Sequence, residues 1–463
     1  MNLTIEQIAG FCKGKILGDA PKGNVTNITL DSRQVKEGSM FVAVRGERVD
    51  GHKFVENTLK SGAVCALVEE EMTVENGCCI LVDSTLQAIK DIARGYRETL
   101  KATVIGITGS VGKTSTKEMV YAVMKEKFKT TKTQGNYNNE IGVPITIFSI
   151  PEDTQVAIVE MGISDFGEMS RLTAMAQPDM CIITNIGQCH LENLGDRDGV
   201  LKAKTEIFEG YRALGKGAII LNGEDDKLST IKEVEGVIPD FFGLEDNERF
   251  SAYSSNVTDL GMEGSRITIK FRDGQELEAW IPVAGAHMVN NALAAALAGK
   301  ALGMTMEEIT RGIESYETIP GRNHTIKTKK YTILDDCYNA NPMSMKSAID
   351  IISKSNGRKV AILGDMFELG EDEYKLHGQV GAYAAKAGLD VLVCVGERSA
   401  WMKSEALNTL GEEASCQVLH FRNKEEVMEH VDEFLKERDM ILVKASHGMG
   451  FADLVKFLEK KEM

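Results

Sequence analysis

Eight short apolar runs, each closed by Gly, Asp, Asn or Glu, limit what this chain can fold into. They are "TVIGITG" (103–109), "QVAIVEMG" (155–162), "CIITNIG" (181–187), "AIILNGED" (218–225), "YTILDD" (331–336), "KVAILGD" (359–365), "DVLVCVGE" (390–397) and "MILVKASHG" (440–448). Apolar runs without alternation suit strands buried on both faces of a parallel sheet. Amphipathic helical stretches such as "TSTKEMVYAVMKEKF" and "PMSMKSAIDIISKS" lie between several of them. Strand then helix, repeated, predicts doubly wound α/β domains. In such sheets the ligand sits at the carboxyl ends of the strands, so the polar residues closing the runs are the first candidates for a site.

The runs fall into two series, parted by "HMVNNALAAALAGKALG" and "TMEEITRGIESYETIPGR", with Pro320-Gly321 as the expected hinge. The first eighty or so residues lack the strict alternation and read as a smaller α/β unit. The expected division is 1–83, 84–316 and 317–463, which suits 463 residues at about 150 per domain. A net charge of −16 argues against a general nucleic-acid binder. The N-terminal "MNLTIEQIAGFCKGKI" lacks the pattern of a signal peptide, and no run of about 18 apolar residues predicts membrane insertion. Nine cysteines without a C-x-x-C pair read as reduced thiols of a cytoplasmic protein, expected to be a monomer.

The stretch "GITGSVGKTSTKEM" (106–119) stands between a strand and a helical stretch. It misses the common phosphate-loop spacing G-x-x-x-x-G-K-[ST], because Ile107 stands five residues before Gly112. Its context is still that of a phosphate loop. Gly109 and Gly112 let backbone N–H groups converge at a helix start, Lys113 suits phosphates, and the Thr114 hydroxyl suits Mg²⁺. The bland alternative is a plain glycine-rich turn. Glu160 closes "QVAIVE", where a carboxylate suits the same Mg²⁺. His190 follows "CIITNIGQC" and reads as structural or as a ligand; Cys189 beside it has no partners for a zinc site. Lys202 and Lys204 lie in the helical "DGVLKAKTEIFEG", where residue types alone leave both unassigned. Asn138, Asn139 and Glu140 in "TQGNYNNEIGVP" suit either a phosphate or sugar contact or turn geometry. Asp336 ends a strand in "LDDCYNANP", and Asp365 and Glu368 hold a similar place in "ILGDMFELG".

Together these segments resemble the Mur ligase family of bacterial cell-wall synthesis across essentially the whole chain. Its loop has the shorter form T-G-x-x-G-K-T, here "TGSVGKT". The resemblance implies ATP on Gly109, Ser110, Gly112, Lys113, Thr114 and Ser115. It implies two Mg²⁺ ions on Thr114, Glu160 and His190, with a carbamylated Lys204 beside the second. Lys113, His190 and Lys204 are then the expected catalytic residues. "GAHMVNNALAA" matches the family's H-x-x-x-N signature at His287 and Asn291; with Arg322 and Asp336, Asn291 is expected to seat ATP as the third domain closes.

Within the family, "NYNNEIGVP", "VEMGISDFGE", "DCYNANP" and "GDMFELG" look like the branch joining D-alanyl-D-alanine to UDP-N-acetylmuramoyl-tripeptide. Asn138, Asn139, Tyr338, Asn339 and Asn341 are then expected substrate contacts. The N-terminal "LDSRQVKEGSMFVAVRGERVDGHKF" looks like a uridine-binding domain, with Ser32, Arg33, Asp50 and His52 as its candidates. The implied architecture is α/β throughout: a small N-terminal substrate domain, a central P-loop mononucleotide-binding parallel sheet, and a C-terminal Rossmann-like domain that closes over ATP and binds the incoming amine. The implied reaction is ATP-driven amide formation through an acyl phosphate. The nearest alternative is the neighbouring branch, which adds a diamino acid to UDP-muramoyl-dipeptide. A GTP switch would carry an N-K-x-D reader, absent here. A kinase or a regulatory nucleotide-binding module would show no dependence on an amine. His447 stands in "KASHGMG" where the family pattern suggests an arginine-like or polar residue, and Lys444, Ser446 and His447 receive no role.

Overall fold

The computed structural model describes residues 1–461 apart from 22, 47–48, 76, 213–216 and 412–415. Among these the strands form three sheets, met in turn along the chain. The first has five strands, in spatial order Lys15–Gly18, Cys78–Leu81, Ala63–Val68, Ser39–Val42 and Asn27–Thr29. Only the edge strand Lys15–Gly18 is antiparallel to its neighbour. Helix Ile5–Cys12 is started by a capping box in which Thr4 and Gln7 satisfy each other's backbone N–H groups.

The central sheet has nine strands, in the order Glu276–Ile281, Ser265–Phe271, Phe250–Asp259, Asp240–Gly243, Ile219–Asn222, Met180–Ile183, Thr103–Thr108, Val156–Glu160 and Thr130–Lys132. Every residue of Val156–Glu160, Met180–Ile183 and Ile219–Asn222 is buried, which is why these runs carry no alternation. Helices Lys113–Met124 and His287–Ala301 cover one face, and Thr85–Thr99 and Glu168–Ala176 the other. The parallel central sheet that the sequence predicts is present from Thr130–Lys132 to Phe250–Asp259, and two further strands extend it at that edge. Ser265–Phe271 runs antiparallel to both Phe250–Asp259 and Glu276–Ile281. Helices cover only one face of this extension, so its strands alternate: Glu276–Ile281 is exposed and buried by turns. A turn with Gly274 at φ 88° joins the last two strands.

The C-terminal sheet has six strands, in the order His324–Lys327, Thr332–Asp335, Met440–Lys444, Lys359–Gly364, Val391–Val395 and Gln417–Phe421, with only the first antiparallel. Separate apolar clusters cover its two faces. One continuous cluster runs from the first sheet through helix Thr85–Thr99 to the central sheet. Arg97 fastens that helix. It is 1% exposed, and it donates to Ala176 O at 2.8 Å, Gln177 O at 2.9 Å and Asp179 Oδ2 at 2.8 Å.

The expected hinge is tied to the C-terminal sheet. Gly321 donates its N–H to Asp335 Oδ2 at 2.7 Å and accepts from the Tyr338 N–H at 3.0 Å. Asn323 bridges the two domains, donating Nδ2 to Ala284 O at 2.6 Å and its backbone N–H to Asp336 Oδ1 at 3.0 Å. Among the described residues no helix is long and apolar enough to cross a membrane.

Candidate active site

The phosphate loop connects strand Thr103–Thr108 to helix Lys113–Met124. Gly109 has φ 148°, and a Cβ there would meet Thr184 Oγ1 at 1.9 Å, so only glycine fits. Gly112 precedes the helix at φ 82° and offers no side chain to cap it. The first N–H groups of the helix therefore face the cavity with the positive end of its dipole behind them, an anion site. Lys113 Nζ donates back to Gly109 O at 2.7 Å, and burial pushes its ammonium below the usual lysine range. Asn185 braces the loop: its Oδ1 accepts from the Val111 N–H at 2.9 Å and its Nδ2 donates to Val111 O at 3.0 Å. The Ser110 hydroxyl accepts from the Gly187 N–H at 2.8 Å.

Glu160 is 1% exposed. Its Oε1 accepts from Thr114 Oγ1 at 3.2 Å and from Asn138 Nδ2 at 2.8 Å. Its Oε2 has no hydrogen bond and faces Lys117 Nζ at 3.5 Å. Lys204, 0% exposed, has a buried Nζ without a hydrogen-bond partner, and burial first, then the Lys113 charge, push its amine down to about 8. Nδ1 of His190 lies 2.6 Å from Glu368 Oε2 without an aligned hydrogen bond. Among the described residues no three His, Cys, Asp or Glu side chains are grouped to hold a metal. A buried carboxylate oxygen and a buried amine, both lacking hydrogen bonds beside a phosphate loop, nevertheless fit a divalent cation, provided Lys204 contributes as an anion.

The C-terminal domain closes the cavity, whose volume is about 520 Å³. The Arg322 guanidinium lies 3.8 Å from the Tyr338 ring centroid, and Tyr338 is 5.2 Å from the His447 ring. Asp336 Oδ2 pairs with Lys444 Nζ at 2.5 Å, and Lys444 also donates to Asn339 O at 2.9 Å. From the central domain Asn291 Oδ1 accepts from Thr116 Oγ1 at 2.9 Å, while Asn290 keeps a buried Oδ1 without a partner.

Of the residues singled out in the sequence, Ser110, Gly112, Lys113, Thr114, Ser115, Asn138, Asn139, Glu160, His190, Asn291, Arg322, Asp336, Tyr338, Asn339 and Asn341 line this one cavity, and His287 joins them. Gly109 and Lys204 are not among its lining residues. Ser32, Arg33, Asp50 and His52 lie apart, on the first sheet's domain. Several candidates carry structural work there and here. His52 uses Nδ1 on Asp50 Oδ1 at 2.7 Å and accepts the Glu69 N–H on Nε2 at 2.9 Å. Arg33 holds Asp31 through two bonds. Asn341 caps helix Pro342–Ser353 by accepting from the Ser344 N–H, and Asn139 accepts from the Gly142 N–H. Asp365 accepts from the N–H and hydroxyl of Ser399 at the start of helix Ser399–Leu410.

Three family models match successive parts of the chain. Residues 24–123 match the Mur ligase family catalytic domain, 107–299 the Mur ligase middle domain, and 321–447 the Mur ligase glutamate ligase domain. The chain is 35% identical over 461 residues to the UDP-N-acetylmuramoyl-tripeptide--D-alanyl-D-alanine ligase of Bacillus subtilis (strain 168), covering 98% of each. The chain belongs to the Mur ligase family. The Escherichia coli (strain K12) ligase of the same name is 32% identical, with 99% of each chain covered. Among solved structures, MurF from Acinetobacter baumannii superposes with a TM-score of 0.90 at 29% identity, covering 99% of both chains. MurF from Thermotoga maritima, in complex with ADP, gives 0.81 at 27% identity and covers 95% of this chain and 98% of its own.

For a Mur ligase chain, sequence reasoning missed Lys117. It is 1% exposed and lies between Glu118 Oε1 at 3.3 Å and Glu160 Oε2 at 3.5 Å, with Lys132 on the far side of Glu118. The signal was its spacing of four from Lys113, which puts both on one helix face. Removing one partner of a buried ion pair leaves the other charge uncompensated, at a cost of about 3–5 kcal/mol. Lys117→Met is therefore expected to lower Tm by several degrees in Mg²⁺-free buffer. Part of that loss should return when MgADP is added. Calorimetry with and without MgADP checks this; an unchanged Tm in both would mean that Lys117 does not steady Glu160.

Proposed function

We propose that this chain is an ATP-dependent ligase that joins D-alanyl-D-alanine to the terminal carboxylate of UDP-N-acetylmuramoyl-tripeptide. The observation that carries the reading is one cavity holding the phosphate loop and Glu160 from the central domain and Arg322, Asp336 and Glu368 from the C-terminal domain. The names of the full-length relatives from Bacillus subtilis and Escherichia coli supply the substrates. The diaminopimelate-adding ligase structure, at 14% identity and a TM-score of 0.54, shares the fold only.

The carboxylate of the tripeptide attacks the γ-phosphorus of ATP, the bond to the β-phosphate oxygen breaks, and ADP leaves. The amine of D-alanyl-D-alanine then attacks the acyl carbon, the C–O bond to phosphate breaks, and the amine loses a proton. In this reading the N–H groups of residues 113–115 and the Lys113 ammonium hold the phosphates, preorganised where charge builds up. Thr114, Glu160, His190 and a carbamylated Lys204 would hold Mg²⁺, which neutralises phosphate charge when bound. The lowered pKa of Lys204 favours carbamylation, since CO₂ reacts only with the neutral amine, which is more plentiful here near neutral pH than in a free lysine. Asn291, Arg322 and Asp336 seat the nucleotide. Closing the C-terminal domain keeps water from the acyl phosphate. Ser32 and Arg33 are the uridine-side candidates. The nine cysteines are all unpaired, in keeping with a cytoplasmic enzyme, which we take to be a monomer.

The test is ADP release from purified protein. It should require both UDP-N-acetylmuramoyl-tripeptide and D-alanyl-D-alanine. Comparable release with free lysine or diaminopimelate in place of the dipeptide would move the chain to the neighbouring branch.

A further inference from the structure

The second cation expected in a Mur ligase is one that His190 would hold from the central domain. Three features join His190 to a C-terminal loop. The Glu368 carboxylate lies 2.6 Å from His190 Nδ1. A Cβ at Gly370 would lie 3.4 Å from the Glu192 backbone nitrogen, so this loop sits directly on the turn after His190. Leu191 packs against the apolar core of the C-terminal domain. Both sides of the contact hold strained backbone: His190 has φ 52° and Glu368 φ 61°, the left-handed region that side chains other than glycine seldom adopt.

The Glu368 loop is pinned on either side. Met366 and Leu369 are buried. The Met366 N–H donates to His377 Nε2 at 2.9 Å, and the Phe367 N–H to Ser446 Oγ at 2.9 Å. Ser446 thus acquires a role, tying the end of strand Met440–Lys444 to this loop. Of the other carboxylates lining the cavity, Glu160 is held by Thr114 and Asn138, and Asp336 by Lys444. Glu368 alone reaches across the domain boundary to a residue of the proposed cation site.

We infer that Glu368 is a positioning residue for His190, and that the second cation site is complete only when the C-terminal domain is closed. The inference rests on the Mur ligase reading above. A histidine that holds a cation through one ring nitrogen commonly gives its other N–H to a carboxylate, which fixes the tautomer and ring orientation; losing that partner costs about 10–100-fold in metal affinity. Here the partner comes from another domain. Glu368 on Nδ1 leaves Nε2 for the ion, and opening the domain would withdraw the carboxylate.

Mn²⁺ is the probe, titrated by electron paramagnetic resonance into full-length protein saturated with ADP. The wild type is expected to bind two ions. Glu368→Gln and Glu368→Gly should bind the first as before and the second about 10–100-fold more weakly. Glu368→Gly also relieves the left-handed backbone, so its Tm should match or exceed that of the wild type, which separates this effect from misfolding. In turnover, kcat should fall while KM for D-alanyl-D-alanine holds, and Glu368→Asp should recover part of the loss. A single Mn²⁺ in the wild type, or unchanged second-ion affinity in both variants, overturns the inference without touching amine-dependent turnover. A rise confined to KM for the dipeptide also overturns it, since Glu368 would then hold the amine rather than His190.

Discussion

Lys113→Ala is expected to slow acyl-phosphate formation by about 10²–10³-fold, the usual cost of one preorganised charge contact in a closed site. The ammonium already sits at the mouth of the loop, held on Gly109 O at 2.7 Å, so it need only exchange a carbonyl for a phosphate oxygen. Its partly buried position makes that exchange more valuable than it would be in water, because the local field is less screened. Folding should be spared. Lys113 opens its helix, contributes nothing to the apolar cores, and lies where alanine is an excellent helix former. The check is single-turnover transfer of labelled γ-phosphate to the tripeptide, beside a calorimetric Tm. Near-normal transfer at an unchanged Tm would remove the loop from the mechanism.

Much of the fold was legible because burial on both faces leaves a plain mark. All eight apolar runs became strands, and polar residues from the ends of five of them reach the cavity: Glu160, Asn185, Asn222, Asp336 and Lys444. The antiparallel extension was overlooked because half-buried strands such as Glu276–Ile281 carry as many polar as apolar residues. Its one strong signal, Asp-Gly at 273–274 between alternating segments, was present but unread. The site was legible where strand ends and glycines carry it, and less so where its supports lie far apart in the chain. Motif position alone does not show that Asn341 also supplies a capping oxygen, or that both ring nitrogens of His52 are bonded; that emerges once the neighbouring backbone is placed. Lys117 and Lys204 sit on helices where a lysine normally faces solvent; only packing against the sheet reveals that both are buried.

That burial sharpens the last prediction. A solvated Lys204 could be replaced with little effect, but the side chain is fully buried with no partner for its Nζ. Two readings survive burial: a neutral amine that merely fills space, and a carbamate that serves as an anion for the second cation. Lys204→Met separates them, because methionine keeps the volume and removes the nitrogen. If the amine only fills space, the variant should keep its activity and gain stability, since a buried polar group without a hydrogen bond is costly. If the lysine is carbamylated, the variant should again be stable but lose most of its turnover, on the order of 10²-fold or more. Acetate or formate should then restore part of the rate by replacing the missing carboxylate. The modification has its own readout: wild-type protein equilibrated with ¹³C-bicarbonate should show a carbamate carbon by NMR, and Lys204→Met should not. A fully active Lys204→Met with no such signal in the wild type would leave Lys204 as packing alone.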